Sequence, residues 1–179
     1  MAEGKKADPR QALAGLSELE LYDKALNLLT IRDHSVYELR SKLLQKGADP
    51  ELVKPLLVKL EALGFLNDER YGERVFNYWL HKGAYGRKHL EAELYKRGLD
   101  KELISSTLEL LTEELETERA EAAVGQFISK SRRKIAQAKS SLERKKLMEQ
   151  GMRYLAARGF TGQHFTILSQ NLHFVQDMD

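Results

Sequence analysis

Residues 43–49 read LLQKGAD, residues 94–100 read LYKRGLD and residues 155–161 read LAARGFT. In each, a leucine is followed by a basic residue and a glycine: Lys46-Gly47, Arg97-Gly98 and Arg158-Gly159. Two residues past each glycine stands a helix-capping residue, Asp49, Asp100 or Thr161, and six past it an apolar one, Val53, Ile104 or Phe165. Glycine ends a helix by taking the left-handed conformation at low cost. A capping side chain then starts the next helix by accepting an orphan backbone N–H. The registered matches therefore mark a recurring unit. It comprises a first helix, a short helix ending in basic-Gly, and a third helix.

Working outward, the apolar spacing is helical almost throughout. Ser17 with Glu20, and Ser35 with Glu38, read as capping boxes ahead of stripes at Tyr22, Ala25, Leu26 and Leu29 and at Leu39, Leu43 and Leu44. Asp49-Pro50 opens a helix carrying Leu52, Val53, Leu56, Leu57, Leu60 and Leu63, and Gly64 stops it. Asn67 starts a helix with Asp68 and Glu69 in its first turn, on which Tyr71, Val75, Tyr78 and Trp79 share a face. Gly83 and Gly86 break it. After Leu90 and Leu94, Asp100 caps a helix with Leu103, Ile104, Leu108 and Leu111 inside. A long stretch after Thr117 follows, and Thr161 caps the last helix. No run alternates with period two, so no strand is expected.

The expected fold is all-α: three tandem three-helix-bundle repeats stacked into an elongated, curved array. The repeats fall at 17–66, 67–116 and 117–172, with a polar tail at 1–16 and a loose tail at 173–179. Glycine spacings of 51 and 61 residues make the third repeat longer. Either an extended first helix or a loop inserted between 129 and 143 accounts for this.

Among 179 residues there is no cysteine, which excludes disulfides, thiolate nucleophiles and Cys-ligated metals. No secretory signal is evident, and a cytoplasmic location is expected. The five histidines form no metalloprotease helix, and no Gly-x-Ser-x-Gly elbow occurs. Gly83-Ala84-Tyr85-Gly86-Arg87-Lys88-His89 lacks the ending and the preceding strand of a phosphate-binding loop. No enzyme, metal, cofactor or small-molecule substrate is expected, and no membrane.

The net charge of +2 hides a partition. Residues 119–158 hold 11 Lys/Arg against 3 Asp/Glu, whereas residues 100–118 hold 1 Lys against 7 Asp/Glu. Lys130, Arg132, Arg133, Lys134, Lys139, Arg144, Lys145 and Lys146 form a basic ridge on the third repeat. Arg87, Lys88, Lys96 and Arg97 cluster on the second; Arg40, Lys42 and Lys46 take the equivalent place on the first. With Arg32, Arg70 and Arg158 these are the candidate partner- or DNA-binding residues, since local cationic surface suits phosphates or an acidic protein face. The acidic stretch Glu109, Glu113, Glu114, Glu116 and Glu118 could instead pair with the ridge. Tyr37, Tyr85 and Tyr95 lie near basic positions and could stack on bases; Trp79 reads as core.

Residues 25–43, ALNLLTIRDHSVYELRSKL, resemble the opening repeat of the RecX family, the regulators of the RecA recombinase. GFLNDERY at 64–71, GRKHLEAEL at 86–94 with Lys96-Arg97-Gly98, and Arg158-Gly159-Phe160-Thr161 resemble its later stretches. The likeness runs over roughly residues 17–172. It implies a non-enzymatic protein that binds the groove of RecA filaments on single-stranded DNA. There it would modulate, taken here as inhibit, filament growth, strand exchange and RecA coprotease activity within DNA repair and the SOS response. The competing expectation is a helix-turn-helix-like module that binds duplex DNA without RecA.

Overall fold

The computed structural model describes residues 11–176. Among them the chain forms nine helices and no strand. They are α1 Glu18–Ile31, α2 Val36–Gln45, α3 Pro50–Ala62, α4 Asp68–Lys82, α5 Arg87–Tyr95, α6 Lys101–Glu109, α7 Glu113–Gln137, α8 Ser141–Ala156 and α9 Gly162–Gln176. The fold is all-α, and the helices run in three successive sets of three. Contacts divide the chain into two compact units: residues up to Arg74 with Tyr95–Leu103, and Val75–Leu94 with the residues from Ile104 onward. The middle set, α4 to α6, is shared between them.

In the first unit, α1, α2 and α3 pack on one another around Leu21, Ala25, Leu39, Leu43, Val53, Leu56 and Leu60. Each buried leucine contributes about 1.5–3 kcal/mol of transfer free energy. Ser17 makes the full capping box with Glu20, and Asp49 accepts the Glu51 N–H at 2.9 Å ahead of Pro50. Ser35 caps α2 by accepting the Glu38 N–H at 3.0 Å, but the reciprocal half of the expected box is missing. The Glu38 carboxylate is taken by Arg32 and Tyr71 instead. Leu63, expected inside, is exposed because it is the C-cap residue, past the last turn of α3.

In the second unit, α7, α8 and α9 pack together around Ala120, Val124, Phe127, Ile135, Leu147, Leu155 and Leu168. The extra length of the third set is an extended first helix: α7 runs 25 residues and starts at Glu113. Thr112 caps it through the Leu115 N–H at 3.2 Å, so the expected start after Thr117 comes one turn late. Ser140 and Glu143 close a capping box on α8. Ahead of α9, the His164 ring nitrogen accepts the Thr161 N–H at 3.4 Å, in place of a cap by the Thr161 hydroxyl. On α4, Tyr71, Val75, Phe76 and Trp79 are buried and Tyr78 is exposed. The buried stripe thus holds Phe76 in place of Tyr78.

Both expected tails are corrected where they are described. Leu13 is 6% exposed, belongs to the first core and donates its N–H to Lys46 O at 2.8 Å. Residues 173–176 continue α9. The rest of the two tails, 1–10 and 177–179, lies outside the described residues.

Gly159 has φ +83°, and a Cβ there would collide with the backbone of His89. Gly64 has φ +74° with open space around it. Gly159→Ala adds overpacking to the left-handed penalty and is expected to cost about 3 kcal/mol in urea denaturation. Gly64→Ala carries the conformational penalty alone, about 1 kcal/mol.

Candidate functional site

The cations fall into two classes, those whose charge is engaged inside the fold and those presented to solvent. In the first unit the Arg32 guanidinium bonds Glu38 at 2.9 Å and Asp33 O at 2.8 Å, with the Tyr71 hydroxyl 3.5 Å away. The Tyr71 O–H donates to the same Glu38 oxygen at 2.9 Å, and Arg97 is a further neighbour of Tyr71. Burial works against the Glu38 carboxylate, but the bonds from Arg32 and Tyr71 outweigh it and hold its pKa below the ordinary value. Burial, reinforced by Glu38, pushes the Tyr71 pKa up.

Lys42 lies 3.4 Å from His34 Nε2. His34 is 3% exposed, and its Nδ1 is 2.9 Å from Arg32 O. These contacts fit the neutral Nδ1–H tautomer, with Nε2 accepting from the lysine. Arg74 pairs with Asp33. Arg70 is exposed and reaches Gly64 O at 3.5 Å. Arg40 and Lys96 are exposed, and Lys46 is half-buried.

In the second unit Arg87 is a clamp. Its guanidinium donates to Leu108 O at 3.1 Å and Leu111 O at 2.7 Å, and lies 3.6 Å from Glu116. Its backbone N–H donates to Glu116 Oε1 at 2.7 Å. Arg158 stacks on Tyr154, 3.6 Å above the ring centroid. Lys88 is exposed.

The ridge itself is open. Arg132, Arg133 and Lys134 on the last turns of α7, Lys139 in the turn, and Arg144, Lys145 and Lys146 on the first turns of α8 are all exposed. Arg144 also ties the turn through Ala138 O at 3.2 Å. Between the two helices a cleft of about 210 Å³ is lined by Lys134, Gln137, Ala138, Glu143, Lys146, Leu147 and Gln150. Among the described residues, no ion pair joins the ridge to the acidic stretch. Glu113, Glu114 and Glu116 occupy the first turn of α7, where the helix dipole favours them.

The aromatic candidates separate. Tyr95 is exposed. Tyr37 is half-exposed, with one side of its ring against Gly98. Tyr85 stacks on His89 at 4.2 Å beside the buried Trp79. Among the described residues no cluster of acidic residues and histidines could hold a metal ion, and no helix is long and apolar enough to cross a membrane.

One residue that composition does not single out is Arg119. It donates to the carbonyls of Trp79 at 3.3 Å, Leu80 at 3.1 Å, Tyr85 at 3.0 Å, and also Gly83. It thus closes the C-terminus of α4, whose last carbonyls lack helical partners. The available signal is its place three residues after Glu116, on one face of α7.

Set beside known proteins, the chain finds its counterparts. The first three-helix domain of RecX matches residues 22–60. Over these residues the chain is similar to the RecX family. It is 39% identical over 87 residues to a regulatory protein RecX of Legionella pneumophila (strain Corby), covering 49% of this chain and 57% of that one. To the RecX of Mycobacterium sp. (strain JLS) it is 37% identical over 108 residues, covering 60% and 58%. These alignments thus span little more than half the length of the curated relatives. Among solved structures, RecX from Lactobacillus salivarius matches with a TM-score of 0.73 at 20% identity, over 88% of this chain and 97% of that one. A second regulatory protein RecX matches at 0.72 and 19%, over 86% and 73%. The likeness to these two is one of fold. The RecX family is one of regulatory proteins by name.

The engaged groups of this chain make two predictions. Arg119→Met orphans the carbonyls at the end of α4 and is expected to lower stability by about 3 kcal/mol, with Arg119→Lys recovering part of it. Burial, then the Arg32 charge, depresses the His34 pKa below 6.5. Below that pH the unfolded chain takes up a proton that the folded chain resists. The His34 contribution is complete above about pH 6.5 and lost as pH falls toward the folded value. Urea midpoints measured from pH 7 to pH 5 should fall in the native chain and fall less in His34→Asn.

Proposed function

We propose that this chain is a non-enzymatic, cytoplasmic regulator of a RecA-type recombinase. In this reading it binds in the groove of RecA filaments on single-stranded DNA and restrains filament growth, strand exchange and coprotease activity. The observation that carries the reading is the match of residues 22–60 to the RecX first three-helix domain. The repeats at 17–66, 67–116 and 117–172 supply the docking surface. The exposed ridge of Arg132, Arg133, Lys134, Lys145 and Lys146, with Lys88, Arg40 and Lys96, supplies its cationic contacts to phosphate or to acidic protein. Arg32, Arg87 and Arg158 act mainly through the fold, because their guanidinium groups already have partners within it.

Titrating the chain into RecA-driven strand exchange and single-stranded-DNA-dependent ATPase assays is expected to lower both rates. No effect and no filament binding would sink the reading. A gel-shift comparison of free duplex with RecA-coated single strands separates it from a plain duplex-binding module. Charge reversal at Arg132, Arg133, Lys145 and Lys146 together should weaken filament binding about tenfold or more and reduce its salt dependence, with helicity unchanged. Arg87 is a poor choice for such a test, since its reversal would break the clamp on Leu108 and Leu111.

A further inference from the structure

Three carbonyls of this chain occupy equivalent places. Lys46, Arg97 and Arg158 each stand just before a left-handed glycine that ends the second helix of a set. Arg97 O accepts the hydroxyl of Ser35, the N-cap of α2. Arg158 O accepts the N–H of Gly86, the residue before α5, at 2.8 Å. In both cases the start of the second helix of one set meets the end of the second helix of the next. In both the glycine is required by the contact. A Cβ at Gly98 would overlap the Tyr37 ring, and one at Gly159 the backbone of His89. The same joint is therefore built twice.

The two ends of the series differ. Among the described residues no set of helices precedes the one that holds Lys46, whose carbonyl accepts the N–H of Leu13 at 2.8 Å, with the Leu13 side chain buried in the first core. At the other end Ser140 stands before α8, in the place of Ser35 and Gly86. No set of helices follows among the described residues. The Ser140 hydroxyl and N–H both donate to Glu143, at 2.8 and 2.9 Å. At the filled joint the corresponding Glu38 is turned away to Arg32 and Tyr71, which leaves the Ser35 hydroxyl for Arg97 O. The capping box is thus open at Ser35, where a turn is docked, and closed at Ser140. Glu143 also borders the cleft between α7 and α8.

We propose that the turn at Gln11–Gly15 is an end cap, and that the Lys46-Gly47 turn beneath it fits the Ser140 end of α8 in a second copy of this chain. Uncapped copies join head to tail by repeating the internal joint. Repeat proteins need such terminal caps because each set otherwise presents an unsatisfied docking face. A head-to-tail contact is heterologous, leaving one end of each copy free to take the next, so it adds copies in series until a ring closes. The proposal is independent of the RecA reading.

The test is sedimentation velocity over a concentration series. Full chain is expected to stay a single species. The chain lacking residues 1–15 is expected to reach at least about twice its monomer mass, with Glu143→Ala strengthening the association. The native chain has no cysteine, so Gln45→Cys in one copy and Ser141→Cys in another report the joint directly. The disulfide should form between truncated copies and be absent between full-length ones. A truncated chain that keeps its helical circular dichroism and stays monomeric overturns the proposal. So does association without that cross-link, or a cross-link already present in the full chain. If the truncated chain loses its helicity, Leu13→Pro in the full chain removes the N–H and keeps a smaller apolar side chain in its place, with the rest of the segment intact. Its cross-linking then decides in the same way, formation supporting the cap and absence overturning it.

Discussion

A left-handed glycine leaves the carbonyl before it aimed outward from the helix end, and a carbonyl at a packed surface must find a donor. That requirement, met at Lys46, Arg97 and Arg158 by Leu13, Ser35 and Gly86, organises the chain. It accounts for small or capping residues at the starts of the short helices. It also explains glycine at the turns beyond the usual demand of helix termination, since Tyr37 and the His89 backbone lie where a side chain would project. The donors differ in kind, hydroxyl at one joint and backbone amide at the others, while the acceptor stays the same. What recurs is thus a geometry rather than a residue pair.

Around these joints the cations do two kinds of work. Arg87 and Arg119 are held by backbone carbonyls in the second unit, and Arg32 by Glu38, Tyr71 and Asp33 O in the first. Charge-assisted bonds of this kind are stronger than neutral ones and specify one arrangement of turns. The cations at the junction of α7 and α8 are largely left to solvent, apart from the single bond of Arg144 to Ala138 O. A solvated ridge gains little from the fold and loses little when its ions meet a charged partner. The division matters for reading sequence charge. The same count of arginines can describe scaffolding or a contact surface, and burial and carbonyl geometry distinguish them.

The helical class, the threefold pattern and most caps were legible because each depends on residues three or four apart. Asp49-Pro50 and Ser17 with Glu20 are local signals, and the structure keeps them. The failures lie where a distant partner competes. Glu38 has every local reason to close a capping box, and loses to Arg32 and Tyr71, the latter 33 residues away. Leu13 sits in a stretch whose composition reads as polar tail, and only the Lys46 carbonyl and the first core explain its burial. Thr117 was the expected start of α7, but Thr112, one turn earlier, caps it by accepting the Leu115 N–H. Of the candidate site, the ridge on α7 and α8 was readable from charge alone. The internal engagement of Arg87 was not, since the Leu108 and Leu111 carbonyls lie 21 and 24 residues away, whereas Arg158 stacks on Tyr154 within its own helical turn.

The single tryptophan has an optical consequence. Trp79 is buried in the second unit, edge-on to Tyr85 at 4.9 Å and His89 at 4.5 Å, with the Lys82 ammonium 4.2 Å from its ring. Its emission therefore reports on that cluster and changes when the rings part. Because no other tryptophan exists, this light comes from one unit only. The first unit, with its Glu38 network and its Leu13 contact, is silent to tryptophan emission and has to be followed by backbone or tyrosine signals.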